Sequence, residues 1–305
     1  MSVLIVGSIA FDTLHLPSQP AKPFVKVLGG SASYASIAAS MFAPVGLVGV
    51  VGGDFPSEFV DAFRSRNIDI SGLETKDGLT FHWEGKYNQD LTARESLATD
   101  LNVFATFEPR IPESVRATPY VMLGNIQPTL QMQVLEQMQK PRLVIADTMN
   151  YWIDSALHDL KQLLRKIDIL IINEEEARQL AQAYNILTVG RTLAEMGPTH
   201  VVIKRGEYGA LLFEQGKVFS APAQPLQEVI DPTGAGDTFA GGFLGYLAQA
   251  GEISSTTLRR AVIYGSAMAS FCVEDVGPRK LLQVTTQQLK QRFAAFKDLA
   301  HFEAE

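Results

Sequence analysis

Cysteine occurs once in the 305 residues, at Cys272, so no internal disulfide can form and no thiol pair exists to hold a metal. It lies in the apolar stretch Ala267 to Val273, the ordinary setting of a buried thiol in a reducing compartment. No apolar run reaches the roughly 20 residues needed to span a bilayer. Val3-Leu4-Ile5-Val6-Gly7 comes with no basic leader or cleavage site, so a soluble, cytoplasmic protein without a membrane partner is expected. Positive charge is in deficit: 26 Lys and Arg against 33 Asp and Glu give 26 − 33 = −7. That balance disfavours nucleic acid as a partner, although net charge leaves a local basic patch open. Several motifs are missing as well: Gly-x-x-x-x-Gly-Lys-Ser/Thr, Gly-x-Gly-x-x-Gly, His-Glu-x-x-His, Cys-x-x-Cys and Gly-x-Ser-x-Gly. Their absence argues against Walker-type NTPases, dinucleotide-dependent dehydrogenases, zinc hydrolases and serine esterases. His15, His82, His158, His200 and His301 are scattered without ligand spacing.

What is present is enough apolar residue, 46% of the chain, to bury a large core. Short β-branched runs at Val3 to Val6, Val45 to Val51, Tyr120 to Leu123, Leu143 to Ala146, Ile167 to Ile172 and Val201 to Ile203 read as buried strands. Helical patterns lie between them at Ser31 to Phe42, Ser57 to Arg66, Thr129 to Gln139, Ile153 to Arg165, Glu174 to Tyr184 and Thr188 to Met196. Such alternation predicts an α/β fold with a mainly parallel sheet, whose ligands bind beyond the carboxyl ends of the strands. Two stretches break the rhythm, Thr13 to Val27 and Thr80 to about Ala105. They are polar, aromatic and interrupted, with Thr80 to Tyr87 showing a period of two until Gly85 disturbs it, and read as a small β flap set apart from the main sheet. The expected organisation is an α/β core of residues 1–12, 28–78 and 106–305 and a flap of residues 13–27 and 79–105. A flap over a ligand would exclude water; the plainer alternative is an ordinary hairpin or a dimer edge.

Asp231-Pro-Thr-Gly-Ala-Gly-Asp-Thr-Phe239 is a bend of small residues running into an apolar helix. Gly234, Ala235 and Gly236 leave backbone N–H groups uncovered at a helix N-terminus, a cradle for an anion such as phosphate. Asp237 is then out of place electrostatically unless it has a proton to remove, as a general base would. Against this stands the favour Asp finds in any first helical turn. Gly241, Gly242 and Gly245 further along the same helix argue for a geometric need, since glycine there weakens the helix.

Other segments carry weaker signals with competing explanations. Asp12, after the first strand, suits two neighbouring hydroxyls of a polyol or ribose, or is a turn residue. Gly29-Gly30 opens a helix of small side chains, Ser31 to Ser40, permitting close approach of a ligand or of the sheet. Asn173 and Glu176 form a capping box by pattern, and by a functional reading orient Mg²⁺ through water. Lys204, Gly206 and Gly209 follow a strand and suit nucleotide phosphates or a simple hairpin turn.

Taken in order, these segments resemble the ribokinase-like, or PfkB, family of carbohydrate and nucleoside kinases across nearly the whole chain. Asp231 to Phe239 resembles its C-terminal signature, Gly29-Gly30 its N-terminal one, and Asn173-Glu-Glu-Glu176 its Asn-x-x-Glu motif. The resemblance implies a three-layer α/β/α sandwich with a β lid, ATP as donor with Mg²⁺, and a sugar or polyol as acceptor. A nucleoside acceptor is the alternative within the class, and a sugar or nucleotide sensor without turnover the alternative outside it. By the resemblance Asp237 is the base, the backbone of Gly234, Ala235 and Gly236 the anion hole, and Asn173 and Glu176 the Mg²⁺ positions. Lys204, Gly206, Gly209 and Thr233 fall in the ATP region, while Asp12, Gly29 and Gly30 contact the acceptor. Some members bind a monovalent cation beside the equivalents of Asp231 and the loop around Gly277, which makes K⁺ an expected activator, and relatives with such lids often pair them in homodimers. Two departures stand out. Tyr34 occupies the place of a sugar-contacting Asn, and could instead stack on a base, as could Trp83; and Asp147-Thr-Met-Asn-Tyr-Trp152 resembles an Asp-x-Asn-x-Arg segment without its Arg.

Overall fold

The computed structural model describes residues 1–301. Its strands, in chain order, are β1 (Val3–Val6), β2 (Ala10–His15), β3 (Phe24–Gly29), β4 (Val45–Gly52), β5 (Ile68–Lys76), β6 (Phe81–Tyr87) and β7 (Arg94–Asp100), followed by β8 (Tyr120–Leu123), β9 (Leu143–Ala146), β10 (Ile169–Asn173), β11 (His200–Lys204), β12 (Ala210–Glu214) and β13 (Lys217–Ala221). The helices are α1 (Ser31–Ala39), α2 (Ser57–Ser65), α3 (Pro128–Gln137), α4 (Asn150–Ser155), α5 (Leu157–Leu164), α6 (Glu174–Ala181), α7 (Ile186–Glu195), α8 (Ala235–Ala250), α9 (Ser255–Cys272) and α10 (Thr286–Ala300). None of these helices is long and apolar enough to cross a membrane.

Nine strands form one sheet in the order β13-β12-β11-β10-β9-β8-β1-β4-β5. It is parallel from β11 to β5, and the hairpin of β12 and β13 adds an antiparallel edge. Strand periodicity divides the core between the two faces: Val3, Ile5, Ile169 and Ile171 join one apolar cluster, and Leu4, Val6, Leu170 and Ile172 the other. Residues of α1, α8 and α9, such as Ala35, Phe243 and Met268, cover the first face. Residues of α3, α5, α6 and α7, such as Val134, Leu163, Ala177 and Val189, cover the second. The alternation predicts the mainly parallel sheet and the family resemblance implies the three-layer sandwich seen here; buried on both sides, its strands read as continuous hydrophobic runs.

The glycines of α8 answer to packing. A methyl group on Gly241 would sit 2.1 Å from the Ala35 carbonyl oxygen, and one on Gly245 2.9 Å from the Ala39 Cα. The backbones of α1 and α8 therefore approach at a distance only glycine allows, and both helices start at the carboxyl end of the sheet.

Four strands, in the order β3-β2-β6-β7, make a separate small sheet. It differs from expectation in extent: β2 begins at Ala10 rather than Thr13, and β3 runs to Gly29 rather than Val27. Asp12 and Gly29 thus belong to the small sheet, pairing with Trp83 across β2–β6 in the first case and with Ala10 in the second. Elsewhere, the helix expected over Ile153 to Arg165 is broken at Ala156 (φ −139°, ψ 32°), and β5 forms a parallel edge where polar residues mask its period.

Candidate active site

The carboxyl ends of the parallel strands converge on the N-terminus of α8. Gly234 is its N-cap in a left-handed conformation (φ 73°), a backbone setting that suits glycine, and no side chain caps the helix. The Ala235 N–H turns back to the Pro232 carbonyl at 3.3 Å, and Thr238 closes the first turn onto Gly234. Ala235 therefore differs from the expected anion hole, because the turn at Pro232 redirects its donor. The amide of Gly236, in the first turn, is left without an intrahelical partner, with the partial positive charge of the helix end behind it. Asp231 braces this loop from below. It is fully buried, its Oδ1 accepts the Thr233 N–H and its Oδ2 the Gly277 N–H, both at 2.9 Å. Both oxygens of Asp231 thus hold amide hydrogens, which braces the loop.

Asp237, third residue of α8, keeps one side open to solvent among acidic neighbours. Burial, then the charge of Asp147, push its carboxyl well above the usual carboxylate range, while Lys204 and Arg94 oppose the rise. Lys204, at the end of β11, donates to Asp147 Oδ2 at 3.0 Å, and its Nζ would lie 2.9 Å from a methyl group on Gly236. Burial disfavours its charge, but Asp147, Glu176 and Asp237 outweigh burial and hold it protonated beyond the ordinary lysine range. The cation is thereby locked against the loop where a phosphate would arrive.

Asn173 and Glu176 form the capping box: Asn173 Oδ1 accepts the Glu176 N–H at 2.8 Å, and Glu176 Oε2 accepts the Asn173 N–H at 3.2 Å. Burial and Asp147 raise the Glu176 carboxyl, with Lys204 opposing. Among the described residues no group of three or more His, Cys, Asp or Glu side chains is arranged to hold a metal directly. The donors fit a Mg²⁺ held mainly by phosphates and water, with Glu176 and Asp147 at its outer side, because a divalent cation would relieve the crowding of these acids. Gly206 borders open space, whereas Gly209 is buried, its absent methyl 2.0 Å from the Ala221 carbonyl oxygen, so Gly209 serves the hairpin rather than a ligand.

On the other side, Asp12 is 4% exposed, and a methyl on Gly29 would come within 2.2 Å of its carboxylate. Burial, Asp231 and Asp237 raise its pKa to about 8, against the pull of Arg94. Gly30 (φ 91°) turns the chain from the small sheet into α1, under the Ser8 carbonyl. Tyr34 corrects an expectation. It is 1% exposed, and its ring lies beneath Gly234, whose absent methyl would be 2.5 Å from it. Held between α1 and the loop of α8, it supports that loop and has no face free to stack on a base.

The structure thus gathers Asp12, Gly29, Asn173, Glu176, Lys204, Thr233, Gly234, Gly236 and Asp237 at one end of the sheet. It adds residues that sequence reasoning did not select. Asp147 pairs with Lys204, Tyr87 reaches Thr233, and Arg94 comes from the small sheet. A lone Arg in an exposed polar strand gives no local signal; only the ladder sets it opposite Tyr87.

The family model for "pfkB family carbohydrate kinase" matches residues 2–284. A cytidine kinase of Thermococcus kodakarensis is 31% identical over 80% of this chain and 87% of its own length. A nucleoside kinase of Methanothermobacter thermautotrophicus is 28% identical over 96% of each. Among solved structures, a ribokinase II from E. coli in complex with ATP and Mg²⁺ superposes with a TM-score of 0.79 at 17% identity, covering 96% of this chain and 99% of that one.

Proposed function

Since the chain belongs to the pfkB family of carbohydrate kinases and is a phosphotransferase acting on an alcohol group, we propose that it moves the γ-phosphate of MgATP to a ribose hydroxyl of a nucleoside, with Asp237 as general base. The observation that carries this reading is the pairing of Asp12 with Trp83 in register across β2 and β6, beside Gly29. A buried carboxylate able to accept from a diol lies next to an indole that folds back over Gly85, and Arg94 lies with its guanidinium carbon 5.5 Å from that indole's centroid. A ribose on Asp12 would direct its base toward the aromatic surface of this indole. The nucleoside and cytidine kinases among the relatives support the same choice.

The chemistry follows from the positions. The acceptor hydroxyl, held by Asp12 and the Gly29-Gly30 backbone, attacks the γ-phosphorus as Asp237 takes its proton; the bond from the γ-phosphorus to the bridging oxygen breaks and ADP leaves with that electron pair. The amide of Gly236 and the ammonium of Lys204 stabilise charge on the transferring group. Glu176 and Asp147 would hold Mg²⁺ through water, and the ion would supply charge neutralisation on the phosphates. The raised pKa of Asp237 makes it a stronger base than a free carboxylate. The small sheet acts as a lid that excludes water from this centre.

An ADP-release screen with MgATP across sugars, inositols and nucleosides, with Asp237→Asn as blank, tests the reading. Turnover with nucleosides in preference to free ribose is expected. Turnover with a free sugar or inositol and none with nucleosides would replace the nucleoside by the sugar reading.

A further inference from the structure

Tyr87 ends β6 and is buried, and its hydroxyl lies 2.8 Å from Thr233 Oγ1, 146 residues away in the chain. Thr233 is the residue from which the anion loop hangs: its N–H is fixed by Asp231, its carbonyl accepts from the Cys272 thiol, and Gly234 follows directly. One hydroxyl pair therefore joins the lid to the loop that meets phosphate. Burying a phenol where Phe would pack as well costs desolvation unless its hydroxyl has a partner, and here the partner belongs to the opposite element.

Arg94 is the residue directly opposite Tyr87 in the β6–β7 ladder. Trp83, Gly85 and Tyr87 share one face of β6 by alternation, and the position of the guanidinium near Trp83 shows that Arg94 runs back along that face. Asp12 pairs with Trp83 on the same face. The positive charge of Arg94 is felt at Asp12, Glu176 and Asp237, which lie on both sides of the transfer path. Besides Lys204, Arg94 is the cation that acts on Asp237, and it is borne by the lid rather than the core.

We propose that Tyr87 is a positioning residue that couples the lid to the anion loop, its bond to Thr233 fixing the loop and at the same time seating Arg94 over the transferring phosphoryl group. This rests on the kinase reading of the site. It gives that site a safeguard: with the lid raised, the loop keeps its brace from Asp231 but loses its tie to Tyr87, and the phosphoryl group loses its second cation, so ATP is not given to water.

The test needs no acceptor. Affinities for MgADP and for the magnesium complex of the non-hydrolysable analogue AMP-PNP are measured by calorimetry, and their ratio reports what the protein gains from the γ-phosphate. Tyr87→Phe should lower that ratio about fivefold, the worth of one hydrogen bond of about 1 kcal/mol. Arg94→Gln should lower it about tenfold, with Arg94→Lys retaining part. The double variant should lose little more than Arg94→Gln alone, because Tyr87 acts partly through Arg94. Thr233→Val should mimic Tyr87→Phe and Thr233→Ser should not, which keeps the test open should Tyr87→Phe fold poorly. A wild-type ratio in Tyr87→Phe, or strictly additive losses in the double variant, would overturn the coupling. A wild-type protein that gains nothing from the γ-phosphate would overturn the kinase reading with it.

Discussion

Replacing Asp237 by Asn removes one proton acceptor and one negative charge while keeping the size of the side chain. General-base assistance contributes about 10²–10⁴-fold, equivalent to about 3–5 kcal/mol at 1.36 kcal/mol per decade, and kcat should fall by that factor. Two features of the structure argue that binding will not fall with it. The Gly236 amide and Lys204 remain in place, and loss of the Asp237 charge removes repulsion toward the incoming phosphates; MgATP affinity should hold or improve. The same charge bears on pH. Burial and Asp147 raise the Asp237 carboxyl, so a folded protein holds this proton where an unfolded chain has released it, and its ionisation opposes folding as pH rises. The sign is that of a carboxyl whose folded pKa exceeds its unfolded one: Asp237→Asn should leave thermal stability near neutral pH unchanged or slightly higher. For the wild type, activity requires the ionised base, so kcat should decline as pH falls through a pKa above the ordinary carboxylate range. Steady-state kinetics from pH 5.5 to 9, with differential scanning calorimetry of both proteins, checks both points. An unimpaired kcat in Asp237→Asn would refute the base; a loss of activity matched by unfolding would refute the claim that it acts in chemistry alone.

Asp12→Asn should raise the KM for the acceptor at least tenfold with little change in MgATP affinity, and should flatten the fall in acceptor KM expected as pH rises toward 8 in the wild type; unchanged KM would remove Asp12 from the acceptor site. Lys204→Gln leaves Asp147, 7% exposed at its side chain, without its cation, and should destabilise the fold by about 3 kcal/mol in urea denaturation as well as weaken MgATP binding; loss of binding alone would mean that Asp147 finds another partner. Gly241→Ala sets two effects against each other: helix propensity favours Ala by about 1 kcal/mol, but a methyl 2.1 Å from the Ala35 carbonyl oxygen forces α1 and α8 apart at about 1–3 kcal/mol. Strain should win, and a variant more stable than the parent in denaturant would show that the helices yield.

Much of the fold was legible because its signals are local. Runs such as Ile169 to Ile172 are apolar at every position since both faces of the sheet are covered, and the glycines of α8 stand out since helices seldom tolerate them. The break at Ala156 and strand β5 were not legible. Ile153 to Arg165 keeps its apolar spacing through the break, and Ile68 to Lys76 is half exposed and polar, so its pairing with β4 comes from the sheet rather than from its own pattern. Within the site, Asp237 could be found because it contradicts its surroundings over a few residues, a negative group on an anion-binding turn. Tyr34 was misjudged for the converse reason: the turn shows which residues lie near Gly234 in the chain, not which side chain lies beneath it.

What the amino-acid order determined by itself is the succession of strands and helices, the glycine turn opening α8, and the chemical types available there, since each depends on contacts among neighbours in sequence. What only the tertiary structure decided is which charges act on one another. Asp12, Arg94, Asp147, Glu176, Lys204 and Asp237 come from four strands or their ends and two helices, and their proximity raises some carboxyls and protects one lysine. Coulombic energy depends on separation and surrounding medium, neither of which a chain possesses before it has folded.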